Sequence, residues 1–320
     1  MDFNTFLNQY QKKPVDHFQH QVPDNPLLSV CLPTFQHRKF IEECLNSILM
    51  QQTNFNYEIL IGEDGSTDGN REVCEAYARK HPDKIRLFLH HRENNIQVDG
   101  QPTGRFNFTY NWFSARGKYV ALCEGDDYWT DPFKLQKQVD FLEVNADFVL
   151  TYHPVMVLDK QQLIHDVIAD SKFSESESSI YDLAAFGNYM HTPSVVYRNI
   201  LPELPHEFFE VPIGDFFLYM QLANYGKIKR LNDAMAVYRN RVGIYSDKHS
   251  LQKRKAWLQT LNLLIHSQHS PTVKRIMKLR LGDDSEILKN MSTSGFAQLS
   301  KHIPAKVLFK SLLFKIFKRG

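Results

Sequence analysis

The sequence predicts an α/β protein with a Rossmann-like, mostly parallel sheet flanked by helices, followed by a small helical extension at the C-terminus. Four short segments are continuously apolar and do not alternate with polar residues as half-buried strands do. Continuous apolar runs are typical of strands buried on both faces of a parallel sheet. Segments with apolar residues at helical spacing separate them, and this alternation predicts right-handed crossovers. The length of 320 residues is sufficient for one large domain with its own core.

The first 145 residues contain the regular part of this pattern. Residues 1–26 are polar and interrupted by three prolines, so we expect an irregular lead-in there. The predicted strands are 27–34, 57–64, 84–91 and 117–125, and the predicted helices are 38–51, 69–81, 102–116 and 131–145.

The remaining residues are less regular. They predict a strand or hairpin at 147–158, helices at 180–190 and 215–225, and a strand at 191–198. We place the main domain at 27–245, with halves at 27–130 and 131–245, and a helical extension at 246–320.

The composition narrows the class of protein. A net charge of +2, with no basic stripe interleaved with aromatics, argues against a nucleic-acid partner. The four cysteines form no CxxC pair. Cys31 and Cys123 lie in apolar runs, which predicts buried reduced thiols and a cytoplasmic protein. No segment approaches the roughly 20 apolar residues of a membrane span, and the N-terminus lacks the apolar core of a signal peptide.

Acidic residues follow two of the predicted strands, at the edge where open α/β sheets bind ligands. Glu63 and Asp64 end the second strand, and Glu124, Asp126 and Asp127 follow the fourth. Mg²⁺ and Mn²⁺ prefer such carboxylate oxygens, and crowded carboxylates repel one another without a cation. The alternative is a solvated acidic turn before the next helix.

Three segments together resemble the family 2 glycosyltransferases of GT-A fold, above all those of bacterial surface-polysaccharide synthesis. They are SVCLPTFQHRKFIEECLNSILMQ, YEILIGEDGSTDG and ARGKYVALCEGDDYWTDPFKLQKQVDFLE. The resemblance covers 27–145 and resumes near 191–240. It implies an inverting hexosyl- or N-acetylhexosaminyltransferase, with a donor-binding half at 27–130 and an acceptor half at 131–245.

The resemblance also implies roles on the donor side. Pro33, Thr34 and Phe35 would lie against the nucleotide base. Asp64 would accept a hydrogen bond from the uracil imide, which favours a UDP-sugar, and Glu63 stands where many members have another aspartate. Arg105 is a candidate partner of the diphosphate, although a solvated surface arginine is an alternative.

For the metal and the base, the resemblance matches Asp127 to the metal-binding acid and Asp126 to a neighbour that contacts the ribose or assists the metal. Glu124 ranks third among the metal ligands. A Mn²⁺ or Mg²⁺ ion would bridge the diphosphate of the donor. Asp215 is the candidate general base, and an ordinary helix N-cap is the alternative for this residue.

Acceptor-side candidates are Trp129 and His191, with packing roles as the alternative, and Arg239 and Arg241 have the charge to approach the diphosphate. Residues 305–320 combine one apolar helical face with lysines. This pattern predicts either peripheral contact with the inner face of the membrane, suited to a saccharide or lipid-linked saccharide acceptor, or a helix docked on the domain.

Three other functions are weaker. A nucleotidyltransferase would need a glycine-rich phosphate loop after the first strand, and PTFQHRKF contains no glycine. A dehydrogenase would need GxGxxG at the same place. A non-catalytic nucleotide- or sugar-binding domain stays open, and it would tolerate the loss of Asp215.

Overall fold

The computed structural model describes residues 1–166, 173–240 and 250–293. The helices α1–α9 in chain order are Phe3–Tyr10, Ile41–Leu49, Asn70–Lys80, Arg105–Ser114, Lys134–Val144, Ile180–Phe186, Gly214–Leu222, Ser250–Ser267 and Pro271–Thr293. The strands β1–β15 in chain order are Asp16–His17, Leu28–Thr34, Tyr57–Glu63, Ile85–Leu89, Gln97–Val98, Gln101–Pro102, Tyr119–Leu122, Tyr128–Trp129, Phe148–Tyr152, Met156–Asp159, Gln162–His165, Glu177–Ser178, Val196–Arg198, Lys227–Arg230 and Ala236–Arg239.

The central sheet has nine strands in the order β1-β4-β3-β2-β7-β13-β9-β14-β12. The four strands predicted from the first part of the chain, β2, β3, β4 and β7, are parallel neighbours. β13 runs antiparallel to β7 and β9, so the parallel order breaks in the second half. The predicted α/β class is confirmed. Because β3 and β7 flank β2 on opposite sides, the carboxyl end of β2 is a topological switch point, where such sheets bind ligands.

The sheet is buried on both faces. Leu28, Val30 and Leu32 of β2 pack into the core formed with α2, α3 and α5. Cys31 points to the opposite face, where the core includes α1, α4 and α7. This alternation explains why the strand reads as an unbroken apolar run. All four cysteines are buried and unpaired, which was predicted for Cys31 and Cys123.

The prediction of an irregular lead-in is wrong for residues 3–10, which form the helix α1. Asp2 caps this helix by accepting a hydrogen bond from the Thr5 N–H. Phe6 is fully buried, and its ring centroid lies 5.0 Å from that of Phe106. The apolar residues of α1 are helically spaced, but the prolines that follow draw attention away from them.

A second, four-stranded sheet in the order β11-β10-β15-β8 lies beside the ligand-binding edge. β15 pairs antiparallel with β8, so that Ala236 lies opposite Trp129 and Val237 opposite Tyr128. This pairing holds the chain after β7 against the end of the second half.

The predicted helical extension is present in its described part as the antiparallel pair α8 and α9. Trp257 of α8 donates a hydrogen bond to Asp284 of α9 at 2.7 Å. Within the described ranges, none of the helices has the length and apolar character that a membrane crossing requires. The predicted amphipathic segment 305–320 lies outside the described residues.

Candidate metal centre and active site

An acidic loop, residues 123–127, follows β7 at the carboxyl edge of the sheet. Single carboxylate oxygens of Glu124, Asp126 and Asp127 all lie within 4.8 Å of one another. The N–H of Asp127 donates to the carbonyl of Glu124 at 3.0 Å and closes the turn. Asp126 and Asp127 are 4% and 0% exposed, whereas Glu124 is exposed. The three predicted metal ligands are therefore brought together.

Two oxygens of this loop have no hydrogen-bond partner among the described residues. They are Oδ1 of Asp126 and Oδ2 of Asp127, and both are buried. The other oxygen of Asp127 accepts the Arg239 N–H at 2.9 Å. A buried carboxylate oxygen without a donor carries a large desolvation cost, which a bound cation would offset. The donor set of three carboxylates suits Mg²⁺ or Mn²⁺.

The electrostatics of the loop agree with this assignment. Burial, followed by the charges of Asp126 and Glu124, raises the pKa of Asp127 well above its usual value. Desolvation, followed by the charges of Asp126 and Asp215, raises the pKa of Glu124 to about 8. The charge of Asp215, the candidate base, is thus among those that act on the acidic loop.

The acidic loop packs tightly against the end of β2. A Cβ at Gly125 would lie 2.5 Å from the Thr34 hydroxyl and 2.8 Å from Nδ1 of His37, so only glycine fits there. The Gly125 N–H donates to the carbonyl of Pro33 at 3.1 Å. Nε2 of His37 lies 4.0 Å from Asp126. Pro33 and Thr34 thus contact the acidic loop, and their predicted place against the nucleotide base stays a prediction.

The predicted base-binding residues lie together on the other side of β2. Arg92 and Asn95 both donate to Oδ2 of Asp64. The guanidinium of Arg92 also lies 3.9 Å from the ring centre of Phe35. Burial raises the pKa of Asp64 to about 6, and the charge of Arg92 opposes the rise. Asp64 and Phe35 therefore contact the same guanidinium.

Glu63 has a different role from the predicted donor contact. Its Oε1 accepts the Ser66 N–H at 2.9 Å, and its Oε2 accepts the Gly65 N–H at 3.1 Å and Nε of Arg71 at 2.6 Å. The side chain is fully buried. Because both oxygens bind protein donors, Glu63 stabilises the turn after β3.

Asp215 lies in the first turn of α7. Its Oδ2 accepts Nδ2 of Asn188 at 2.8 Å, and its Oδ1 accepts the Phe216 N–H. The N-cap position belongs to Ile213, with no side-chain capping bond, so the alternative of a simple N-cap is not what the structure has. Burial raises the pKa of Asp215, and Phe216, Asn188, Arg105 and His191 oppose the rise.

Arg105 is not the solvated surface arginine of the alternative, and its contact with the diphosphate stays a prediction. Its side chain is buried, with Nη2 donating to the carbonyl of Val211 at 2.6 Å and the guanidinium 4.5 Å from the ring centre of Phe208. A Cβ at Gly214 would lie 1.6 Å from Nη1 of Arg105, so the guanidinium packs directly beneath the start of α7. Asp215 is the charged group that acts on the pKa of Arg105, which it raises.

Trp129 is likewise a core residue and not an acceptor wall. It is 1% exposed, and its indole N–H donates to the carbonyl of Pro193 at 2.9 Å. His191 is partly exposed; it pairs with Asp166 and its ring packs 4.6 Å from that of Tyr238. This position is compatible with the predicted acceptor side. Arg241 lies outside the described residues.

Comparison with known proteins identifies the domain. Residues 29–166 match the family model described as Glycosyl transferase family 2. The chain carries a family 2 glycosyltransferase domain. The matched segment includes β2, the acidic loop and Asp64, whereas Asp215, Asn188 and Arg239 lie beyond it.

The glycosyltransferase domain has relatives in bacteria and archaea. Rv1520 of Mycobacterium tuberculosis is 35% identical over 236 residues, which are 72% of this chain and 63% of Rv1520. Staphylococcus aureus TarS 1–349 in complex with UDP-GlcNAc superposes with a TM-score of 0.57 at 18% identity, over 86% of this chain and 76% of that one. The mannosyltransferase PcManGT from Pyrobaculum calidifontis in complex with GDP-Man and Mn²⁺ gives 0.57 at 17%, over 97% and 86%. The fold is therefore that of the GT-A glycosyltransferases.

Several residues of the site were missed by sequence reasoning. They contact a predicted residue from a distant part of the chain, as Asn188 does with Asp215 across 27 positions and Arg92 with Asp64 across 28. His37 had a usable signal, since it follows Thr34 by three residues at the start of a helical segment. Asn188 and Arg92 had none, because nothing local links them to their partners.

Proposed function

We propose that the protein is an inverting, cation-dependent glycosyltransferase that moves a hexosyl or N-acetylhexosaminyl group from a UDP-sugar to an acceptor hydroxyl. The observation that carries the proposal is the pair of buried, unpartnered oxygens on Asp126 and Asp127 at the switch point of the sheet. These oxygens, with Glu124, would hold Mn²⁺ or Mg²⁺, which neutralises charge on the departing nucleoside diphosphate.

Residues 27–130 form the donor side of this proposal. Asp64 would accept the imide N–H of uracil, next to Arg92 and Phe35. A carboxylate acceptor favours a base with a donor at that place and disfavours one without it. TarS, whose structure contains UDP-GlcNAc, has the same fold, which supports a UDP-sugar, although PcManGT has this fold with GDP-Man.

Asp215 is the proposed general base. The acceptor oxygen attacks the anomeric carbon on the face opposite the diphosphate, the bond from that carbon to the phosphate oxygen breaks, and Asp215 takes the hydroxyl proton. The raised pKa of Asp215 suits a group that must bind this proton. Asn188 orients its carboxylate through one oxygen. His191, on the acceptor side at 131–245, is available to contact the acceptor sugar.

The test is a thermal-shift panel of nucleotide sugars with and without Mn²⁺. A ligand at a hundredfold excess over its Kd stabilises the folded state by about 2.7 kcal/mol. We expect a UDP-sugar to raise the Tm more in Mn²⁺ than in EDTA, and we expect Asp127→Asn to abolish this difference. A donor-induced shift that is equal with EDTA and with Mn²⁺ would overturn the cation-dependent mechanism.

The acceptor is proposed to be a saccharide or lipid-linked saccharide of a cell-surface glycan, reached at the inner face of the membrane through residues 305–320. The support is compositional, since this segment carries lysines and no acid. Co-sedimentation with vesicles of phosphatidylglycerol, compared with phosphatidylcholine, tests it. Removing 305–320 should abolish binding to the anionic vesicles, and unchanged binding would place the contact elsewhere.

A further inference from the structure

Arg239, the last residue of β15, lies behind the acidic loop and is only 6% exposed. Its main-chain N–H donates to Oδ1 of Asp127 at 2.9 Å. Its Nη1 donates to the carbonyl of Asp126, and its Nη2 pairs with the carboxylate of Glu43 on α2. One residue thus connects both metal-binding aspartates to a helix and to the second sheet.

Two aromatic rings hold the guanidinium in this position. Its central carbon lies 4.8 Å from the ring centre of Phe40 and 4.7 Å from that of Tyr128. A planar guanidinium can stack on rings while it donates in its own plane, and an ammonium cannot reproduce that combination. The side chain is therefore held by stacking as well as by its hydrogen bonds.

Some oxygens of the acidic loop accept hydrogen bonds from Arg239, and others have no partner among the described residues. The N–H of Arg239 binds one oxygen of Asp127 and its Nη1 binds the main chain of Asp126. The side-chain oxygens left without a partner are Asp127 Oδ2 and Asp126 Oδ1. Because Arg239 binds the main chain of Asp126 and one side-chain oxygen of Asp127, it helps to fix where these two free oxygens lie.

We propose that Arg239 is a positioning residue for the cation site, which sets the affinity for the divalent cation by orienting Asp126 and Asp127 and does not itself contact the donor diphosphate. The inference rests on the proposed cation-dependent function. It replaces the expectation from charge alone that Arg239 approaches the diphosphate. The guanidinium donates to protein groups through both terminal nitrogens and is packed against rings, so it is not presented to the cleft.

The experiment measures two affinities on the full chain by titration calorimetry: Mn²⁺ alone, and UDP in EDTA. Arg239→Lys keeps the charge and the main-chain N–H but loses the forked, stacked contact. We expect its Kd for Mn²⁺ to rise about tenfold, which corresponds to about 1.4 kcal/mol. The Mn²⁺ concentration that gives half-maximal activity should rise equally, and the Kd for UDP in EDTA should not change.

The matched control is Arg198→Lys. Arg198 also donates to main-chain carbonyls, those of Phe148 and Leu142, and lies over the ring of Tyr119. It ends β13 opposite Tyr119, at the start of β7 and thus at the edge of the sheet away from the acidic loop. Arg198→Lys should lower stability comparably and leave the Kd for Mn²⁺ unchanged.

Glu43→Gln is the second variant, since Glu43 is 55% exposed and its change should not prevent folding. It should weaken Mn²⁺ binding by two- to threefold, and it carries the test if Arg239→Lys does not fold. The proposal would be overturned if the folded variants bound Mn²⁺ with wild-type affinity, or if their Kd for UDP in EDTA were higher than that of the wild-type protein. Absence of Mn²⁺ binding by the wild-type protein would instead remove the proposed function.

Discussion

Two pairs of acids lie at neighbouring strand ends of the same sheet, and they differ in how the protein binds them. After β3, Glu63 has donors on both oxygens and Asp64 accepts from Arg92 and Asn95. After β7, Asp126 and Asp127 are equally buried, yet each keeps an oxygen without a partner. The first pair therefore has protein donors, whereas the second keeps oxygens that the proposed cation would bind.

This difference separates stability from function. A buried carboxylate with several donors contributes to folding, whereas one without donors lowers stability until a ligand arrives. Proteins depart from complete hydrogen bonding mainly at functional sites. Replacing Glu63 should therefore lower stability, whereas replacing Asp127 should lower activity.

The largest effect is expected for Asp127→Asn. Loss of a charge that holds the cation should lower the transfer rate by about 10³-fold, since metal stabilisation of the leaving group is worth several kcal/mol. The cation-free variant should unfold at the same temperature as the wild-type protein or above it, because a crowded buried carboxylate is gone. Transfer assays in Mn²⁺ and unfolding scans in EDTA measure both quantities. A clear drop in Tm in EDTA would contradict the comparison.

Asp215→Asn should have the second-largest effect. The amide cannot take the proton of the acceptor hydroxyl, so the rate should fall by about 10²-fold or more. The variant keeps the bond from the Phe216 N–H, so Mn²⁺-dependent donor binding should persist. Thermal shift with a UDP-sugar and Mn²⁺ checks binding alongside the transfer assay. Wild-type turnover would indicate that another group is the base and would leave the metal assignment standing.

Glu63→Gln tests the pair that has protein donors. The variant loses the charge that accepts two main-chain N–H groups and Arg71, so the free energy of unfolding should fall by about 2 kcal/mol. Chemical denaturation measures this loss. Turnover per folded molecule should stay close to that of the wild-type protein. A large loss of turnover with unchanged stability would return Glu63 to the donor-binding role that its position in the sequence predicts.

The sequence was most informative where local pattern determines structure. The runs at 27–34 and 57–64 became β2 and β3 almost unchanged, because burial on both faces requires continuous apolar residues. The acids after β7 could be located by motif, since a short loop must bring them together. Roles that depend on distant partners were not accessible. Arg105 donates a hydrogen bond to the carbonyl of Val211, which is 106 residues away, and Trp129 donates one to the carbonyl of Pro193.

The smallest expected effect concerns Asp64 and pH. Its pKa of about 6 means that the carboxylate gains a proton as the pH falls through 6, and a protonated acid is a poorer acceptor for the uracil imide. The Kd for UDP in EDTA should therefore weaken by about tenfold from pH 7 to pH 5, because each pH unit below the pKa is worth up to about 1.4 kcal/mol. Stability should change in the opposite direction, since an acid whose pKa is raised by folding destabilises the fold most when it is ionised.

The control for this pH dependence is Asp64→Asn. A terminal phosphate of UDP titrates near pH 6 as well, so the variant supplies the contribution of the ligand alone. The difference between the wild-type and variant titrations isolates Asp64. If the two curves are parallel, Asp64 does not contact the base. The carboxylate of Asp64 would then be, like that of Glu63, a charge that only protein donors bind.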